Sequence, residues 1–173
     1  MKLKGKKIAI LVEDFYNELE LWYPYYRLLE EGAEVKLVGP TAKIYESKHG
    51  LPAEADLSAA DVKAGDFQGI IVPGGYAPDK LRRYPAILSI VRGVFEKGGL
   101  VSSICHGGWV LISAGIIKGK RATCTSAIKD DLINAGATYL DQEVVVDGNL
   151  VTSRSPQDLP SFLPAIITAL QNK

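Results

Sequence analysis

At 173 residues, 47% apolar and 23% charged, the chain can build one sizeable hydrophobic core and is too short for two comfortable domains. Twenty basic residues balance twenty acidic ones, so no overall field draws it to nucleic acid or to an anionic membrane surface, and small neutral substrates or protein partners fit the charge better. The longest early apolar run, residues 8–12, is too short for a signal-peptide core or a membrane span, and the two thiols, Cys105 and Cys124, are expected to be reduced in a cytoplasmic protein.

Residues 6–12 read as a buried strand. From about Asn17 the apolar side chains Leu21, Trp22, Tyr25, Leu28 and Leu29 recur with the spacing of a helix that buries one stripe, and Gly32 ends it. Residues 35–38 form a second short strand, residues 44–57 an excursion or hairpin, and residues 69–72 a third core strand that closes at Pro73-Gly74-Gly75. A helix follows over about 86–97, then a strand from Leu100 and a helix reaching about Ala114. A further helix falls near 128–135. Strands at 144–146 and 150–152 flank Asp147-Gly148-Asn149, a hairpin signal, and the last helix begins near Gln157. Continuous apolar strands alternating with helices predict an α/β fold: one three-layer α/β/α domain, 1–173, with a mostly parallel sheet in flavodoxin-like order.

In such sheets the working groups gather beyond the carboxyl ends of the strands. Residues 13–20, 73–79 and 105–109 are therefore the loops that matter. The run Leu100-Val101-Ser102-Ser103-Ile104-Cys105-His106-Gly107-Gly108-Trp109 is an apolar strand that stops at a cysteine and turns at once into a glycine-rich helix start, the layout of a nucleophile elbow. Cys105 stands at its apex, where the start of the following helix is expected to favour the thiolate. A free cysteine is otherwise often a small buried apolar residue. Cys124 is read that way.

His106 follows the cysteine directly, and the other histidine, His49, lies far upstream. No histidine follows residue 106, which argues against glutamine amidotransferase activity. Adjacent Cys105 and His106 are expected to project in different directions, and the cysteines and histidines fit no common ligand spacing, so neither metal nor cofactor is expected. Glu20 lies just past the first strand. Asn17-Glu18-Leu19-Glu20 also fits a capping box, with Pro24 interrupting a helix that starts there, so capping and catalysis both remain open for Glu20. The backbone N–H groups of Gly75 and His106 make a plausible oxyanion hole, although Pro73-Gly74-Gly75 alone is equally a tight turn. Asp79 and Lys48 rank lower, as charges that are usually just solvated.

With these residues in place the chain resembles the PfpI family of intracellular cysteine peptidases, within the glutamine amidotransferase-like superfamily that also holds glyoxalase III enzymes and the parkinsonism-associated deglycase. The likeness rests on the stretch from Glu20-Leu21-Trp22-Tyr23-Pro24 through Arg27-Leu28, on Lys48-His49-Gly50, Pro73-Gly74-Gly75 and Ser103-Ile104-Cys105-His106-Gly107, and on Ile128-Lys129-Asp130-Asp131 with Val144-Val145-Val146-Asp147-Gly148-Asn149. It implies that Cys105 is the nucleophile, that His106 assists it and that Glu20 hydrogen-bonds the sulfur. It also implies an acidic partner for His106 from a neighbouring subunit, Asp79 by position, in a dimer or a hexamer built from dimers. Asn17 stands where relatives carry a second acidic residue and Thr125 where some carry a tyrosine, and both bear on substrate choice. Gly108 replaces a common proline or alanine. The reaction expected first is hydrolysis of peptide or related carbonyl substrates through a covalent Cys105 intermediate. A glutathione-independent glyoxalase or deglycase is the alternative, and a redox-sensing or chaperone-like stress protein is an alternative of another class.

Overall fold

The computed structural model describes residues 1–172. The chain opens with β1 (Lys7–Leu11), α1 (Glu18–Glu30) and β2 (Glu34–Gly39), followed by a hairpin of β3 (Ile44–Glu46) and β4 (Pro52–Glu54) and by the short β5 (Leu57–Ser58). Next come β6 (Gly69–Val72), α2 (Ala77–Leu81), α3 (Pro85–Glu96), β7 (Leu100–Ile104) and α4 (Gly108–Ala114). The last third holds β8 (Arg121–Ala122), α5 (Lys129–Asn134), β9 (Thr138–Tyr139), the β10 (Val144–Asp147) and β11 (Leu150–Ser153) hairpin, and α6 (Leu159–Gln171).

Seven strands form the central sheet, in the order β10-β11-β7-β6-β1-β2-β5. All pair in parallel except β10, which runs antiparallel to β11. Without its edge strands the sheet reads second, first, third, fourth, fifth, which is the flavodoxin-like order. Helices α1 and α6 cover one face, and α2 to α5 the other. Covering both faces leaves no solvated side for polar residues, which is why β6, β7 and β11 are buried at every position. No helix among the described residues is long and apolar enough to cross a membrane.

Two local expectations change, and one pair of strands goes unanticipated. Pro24 does not interrupt α1, which runs straight through it. The carbonyl of Glu20 forgoes its helical donor, and the cap at Asn17 together with the buried side chains Leu21 and Leu28 holds the helix on both sides. Residues 73–79 are not all loop, because α2 begins at Ala77, with Pro78 in its first turn where a missing N–H costs nothing. The parallel pair of β8 and β9, with only two residues on each side, is too short to leave a periodic signal.

Phe162 of α6 is completely buried in this core. Phe162→Ala is expected to lower unfolding free energy by about 3–5 kcal/mol, as large aromatic truncations in cores do. Denaturant unfolding followed by circular dichroism checks this, and a loss below about 1 kcal/mol contradicts the packing of α6 on the sheet.

Candidate active site

β7 delivers Cys105 with φ at +59°, a left-handed backbone that side chains other than glycine rarely adopt. The turn closes this tightly because Gly107 has no side chain: a Cβ there would stand 2.5 Å from the carbonyl oxygen of Val72. One 3-10 turn, Cys105–Gly107, precedes α4. The backbone N–H of Thr125 donates to the carbonyl of Cys105 at 3.4 Å and pins the apex from behind.

Glu20 reaches the same point from the first turn of α1. The side-chain oxygen of Asn17 caps the helix by accepting from Leu19 and Glu20 N–H groups. The Glu20 carboxyl does not return to the backbone of Asn17, whose N–H donates to Gly74. It is completely buried, and Oε2 accepts from the N–H of Gly74 at 2.6 Å. A Cβ at Gly74 would fall 2.5 Å from that oxygen and 2.8 Å from the Cys105 Cβ, so only glycine lets the three backbones meet. The carboxyl also faces the Cys105 sulfur, and its Oε1 is otherwise without a partner among the described residues.

The sulfur receives the backbone N–H groups of His106 and Gly75 and stands 3.3 Å from Nδ1 of His106. Burial nevertheless dominates, and with the charge of Glu20 it pushes the thiol up to about 12. Burial likewise raises Glu20 to about 7, against the Gly74 N–H, the sulfur and the Lys48 cation, which pull it down. Carboxyl and thiol therefore titrate as one pair that keeps a single proton between them above neutrality. His106 is shifted the other way: burial and the positive charge of Lys48 lower its pKa and keep the imidazole neutral.

The rim is laced by main-chain bonds. Tyr76 N–H donates to Phe15 and Lys48 N–H to Tyr16, at 2.9 and 3.0 Å. Glu18 anchors the 47–51 loop by accepting from the backbone N–H and ring Nδ1 of His49, each at 3.0 Å. Burial opposes charge on Glu18, but the hydrogen bonds from Ser47, its own backbone and His49 outweigh it and hold the carboxyl at about 2. The Lys48 ammonium lies 5.3 Å from the ring centre of exposed Tyr76.

The DJ-1/PfpI family model matches residues 6–169. The chain belongs to the DJ-1/PfpI family. Among DJ-1/PfpI relatives, the deglycase PfpI of Pyrococcus furiosus is 41% identical over 165 residues, covering 95% of this chain and 99% of the relative. An Archaeoglobus fulgidus protein is 45% identical over 165 residues, covering 95% and 98%. The crystal structure of Drosophila melanogaster DJ-1beta superposes with a TM-score of 0.90 at 28% identity, covering 97% of this chain and 91% of that one. A two-domain protein of Anabaena variabilis, with DJ-1/PfpI-like and ferritin-like domains, gives 0.93 at 43% identity; there 95% of this chain matches and it spans 50% of the longer one.

Within this DJ-1/PfpI framework, Cys105, His106, Glu20 and Gly75 converge. Lys48 stands at the rim, Thr125 backs the apex through its main chain and Asn17 is spent on capping. Asp79 ion-pairs with Arg83 and makes no hydrogen bond to His106 of the same chain. Three expectations are corrected. Cys105 and His106 do not diverge, since the left-handed turn brings Nδ1 back onto Sγ. Glu20 completes no capping box. The helix start does not by itself hold a thiolate, because burial and Glu20 outweigh the two amides. Glu18 was read only as part of a cap, and the contact of Trp109 with His106, ring centres 5.3 Å apart, was not anticipated. Trp109 stands three residues beyond His106 across a helical start, a spacing that makes side chains neighbours and was the available signal.

Two outcomes follow from the shared proton. Alkylation of Cys105 by iodoacetamide is expected to rise as pH passes about 7, when the pair gives up its first proton and Glu20 can hold the other while sulfur attacks. In Glu20→Gln the rise moves to about pH 8.5 or above; an unmoved midpoint refutes the pair. Stability carries the same signature. The native carboxyl keeps, between its ordinary value of 4.5 and about 7, a proton that the unfolded chain releases. The fold therefore loses about 3 kcal/mol as pH rises through that window, and Glu20→Gln flattens the profile in denaturant titrations.

Proposed function

We propose that the chain is a cysteine-dependent deglycase with glyoxalase-type chemistry, acting on 2-oxoaldehydes and on their adducts with proteins. The observation that carries this reading is the buried Glu20 carboxyl, held by the Gly74 N–H at 2.6 Å and facing the Cys105 sulfur. With Glu20 protonated, the sulfur is the nucleophile. It bonds to the aldehyde carbon, and Glu20 delivers its proton to the oxygen to give a hemithioacetal. The carboxylate so formed then takes the proton from that carbon and returns it to the neighbouring ketone carbon, while the hydroxyl proton passes to the ketone oxygen, so that one carbon is oxidised and the other reduced without an external electron carrier. The product is a thioester of a 2-hydroxy acid. Water, activated by the neutral His106, cleaves it and restores the thiol, and the N–H groups of Gly75 and His106 hold the developing oxyanion. A carboxyl raised to about 7 suits both halves of the transfer, since it is near its midpoint at neutral pH. Relatives named deglycase in Pyrococcus furiosus and Pyrococcus abyssi, each 41% identical over 165 residues, support this reading.

Peptide hydrolysis by the same sulfur is the second reading. A Bacillus subtilis relative, YraA, 42% identical over 159 residues, carries a provisional cysteine-protease name. Expelling the amine of a resonance-stabilised amide, unlike that of a hemiaminal adduct whose own hydroxyl drives the amine out, needs an imidazolium donor oriented by a carboxylate, and within the chain His106 has a lowered pKa and no carboxylate on its ring. We propose that Asp79 of a neighbouring copy supplies one, so that peptidase activity tracks self-association.

The test is loss of methylglyoxal without glutathione, coupled to lactate detection, alongside a fluorogenic peptide panel. Wild type is expected to turn over methylglyoxal to lactate. Cys105→Ser is expected to abolish it and Glu20→Gln to slow it about 10²-fold or more. Peptide cleavage without lactate formation moves the weight to the peptidase, and folded wild type inactive on both substrates overturns both readings.

A further inference from the structure

The His106 imidazole makes one hydrogen bond, between Nδ1 and the Cys105 sulfur, and Nε2 has no partner among the described residues. A histidine that serves a nucleophile is ordinarily aimed by a hydrogen bond to its far nitrogen. Without that second tether, a half-buried ring is free to rotate about its side-chain torsions and lose the sulfur. What His106 has instead is an aromatic wall. The Trp109 indole meets it in a T-shaped arrangement, with ring centres 5.3 Å apart and planes at 63°, the edge-to-face geometry that aromatic rings prefer.

Trp109 is itself fixed by elements on either side. Its Nε1–H donates to the Asp131 carboxylate of α5 at 2.7 Å. The Arg82 guanidinium, just past α2, lies 5.4 Å from the indole centre, and Arg82 Nε–H donates to the Ser113 hydroxyl of α4 at 2.9 Å. Together these contacts set the plane and the edge that Trp109 turns to the imidazole.

We infer that Trp109 is a positioning residue, which holds the His106 ring in the rotamer that keeps Nδ1 on the Cys105 sulfur while Asp131 and Arg82 brace the indole. Within one chain it takes the place of the orienting hydrogen bond on the imidazole and leaves Nε2 open to water or to a group from outside. The inference rests on the reading of His106 as an assistant to Cys105.

The chain has two histidines, which makes the ring directly observable by nitrogen-edited NMR, with exposed His49 as internal control. In Trp109→Ala the His106 side-chain couplings are expected to collapse to rotamer averages while those of His49 stay unchanged. The kcat for methylglyoxal is expected to fall about tenfold or more with KM nearly constant, the mark of lost orientation rather than lost binding. Trp109→Phe keeps an aromatic edge and is expected to restore most of kcat, and Asp131→Asn to fall between. If Trp109→Ala fails to fold, the Phe and Asn variants decide on the same readouts. A single retained His106 rotamer in Trp109→Ala, or Trp109→Phe as impaired as Trp109→Ala in a folded protein, overturns the inference. If wild type turns over no substrate, the proposed function falls and the NMR rotamer alone judges the clamp.

Discussion

One hydrogen bond organises this molecule's working end: the Gly74 N–H on the Glu20 carboxyl at 2.6 Å. It joins the first turn of α1 to the loop after β6, and Cys105 occupies the gap left beside them. Because the carboxyl is buried, it cannot be stabilised as an anion by water, and one amide does not replace a full hydration shell. Its proton is therefore retained to an unusually high pH, and the nearest group able to exchange one is the sulfur. The reactivity of the cysteine is in this way set by a helix that belongs to another part of the chain. The helix directly behind it contributes less.

Glu18 and Glu20 make the same point from opposite sides. They lie two residues apart in the first turn of one helix, with the same side chain, yet one is held at about 2 and the other raised to about 7. Glu18 faces Ser47 and His49 and is surrounded by donors, and Glu20 faces the sulfur with one strong donor. The first remains a permanent anion that holds the rim loop, and the second remains exchangeable. Lys48, carried on the loop that Glu18 anchors, then depresses both Glu20 and His106 from outside.

Most of the fold was legible because a sheet covered on both faces demands continuous apolar strands, a signal that β1 and β6 carry plainly and that β7 and β11 carry up to their small Ser and Thr residues. The elbow was legible for a similar reason, since an apolar strand running into Cys-His-Gly-Gly has few other uses. What could not be read was direction. That His106 folds back onto the sulfur depends on a left-handed φ at Cys105, which no residue type announces. The raised thiol was hidden for another reason: it depends on burial and on a carboxyl 85 positions away in sequence, whereas local reasoning sees only the helix start. The short α2, β8 and β9 are held by their surroundings more than by their own pattern.

The left-handed backbone at the apex has a consequence for the residue it carries. A cysteine there costs of order 1–2 kcal/mol relative to a residue at ease in that conformation, and glycine is at ease. Glycine would relax that backbone but would lose the packing of the Cys105 side chain on the core and the two main-chain donors on its sulfur. The apex thus holds its thiol in a backbone that the residue type itself disfavours, with the surrounding turn supplying the constraint.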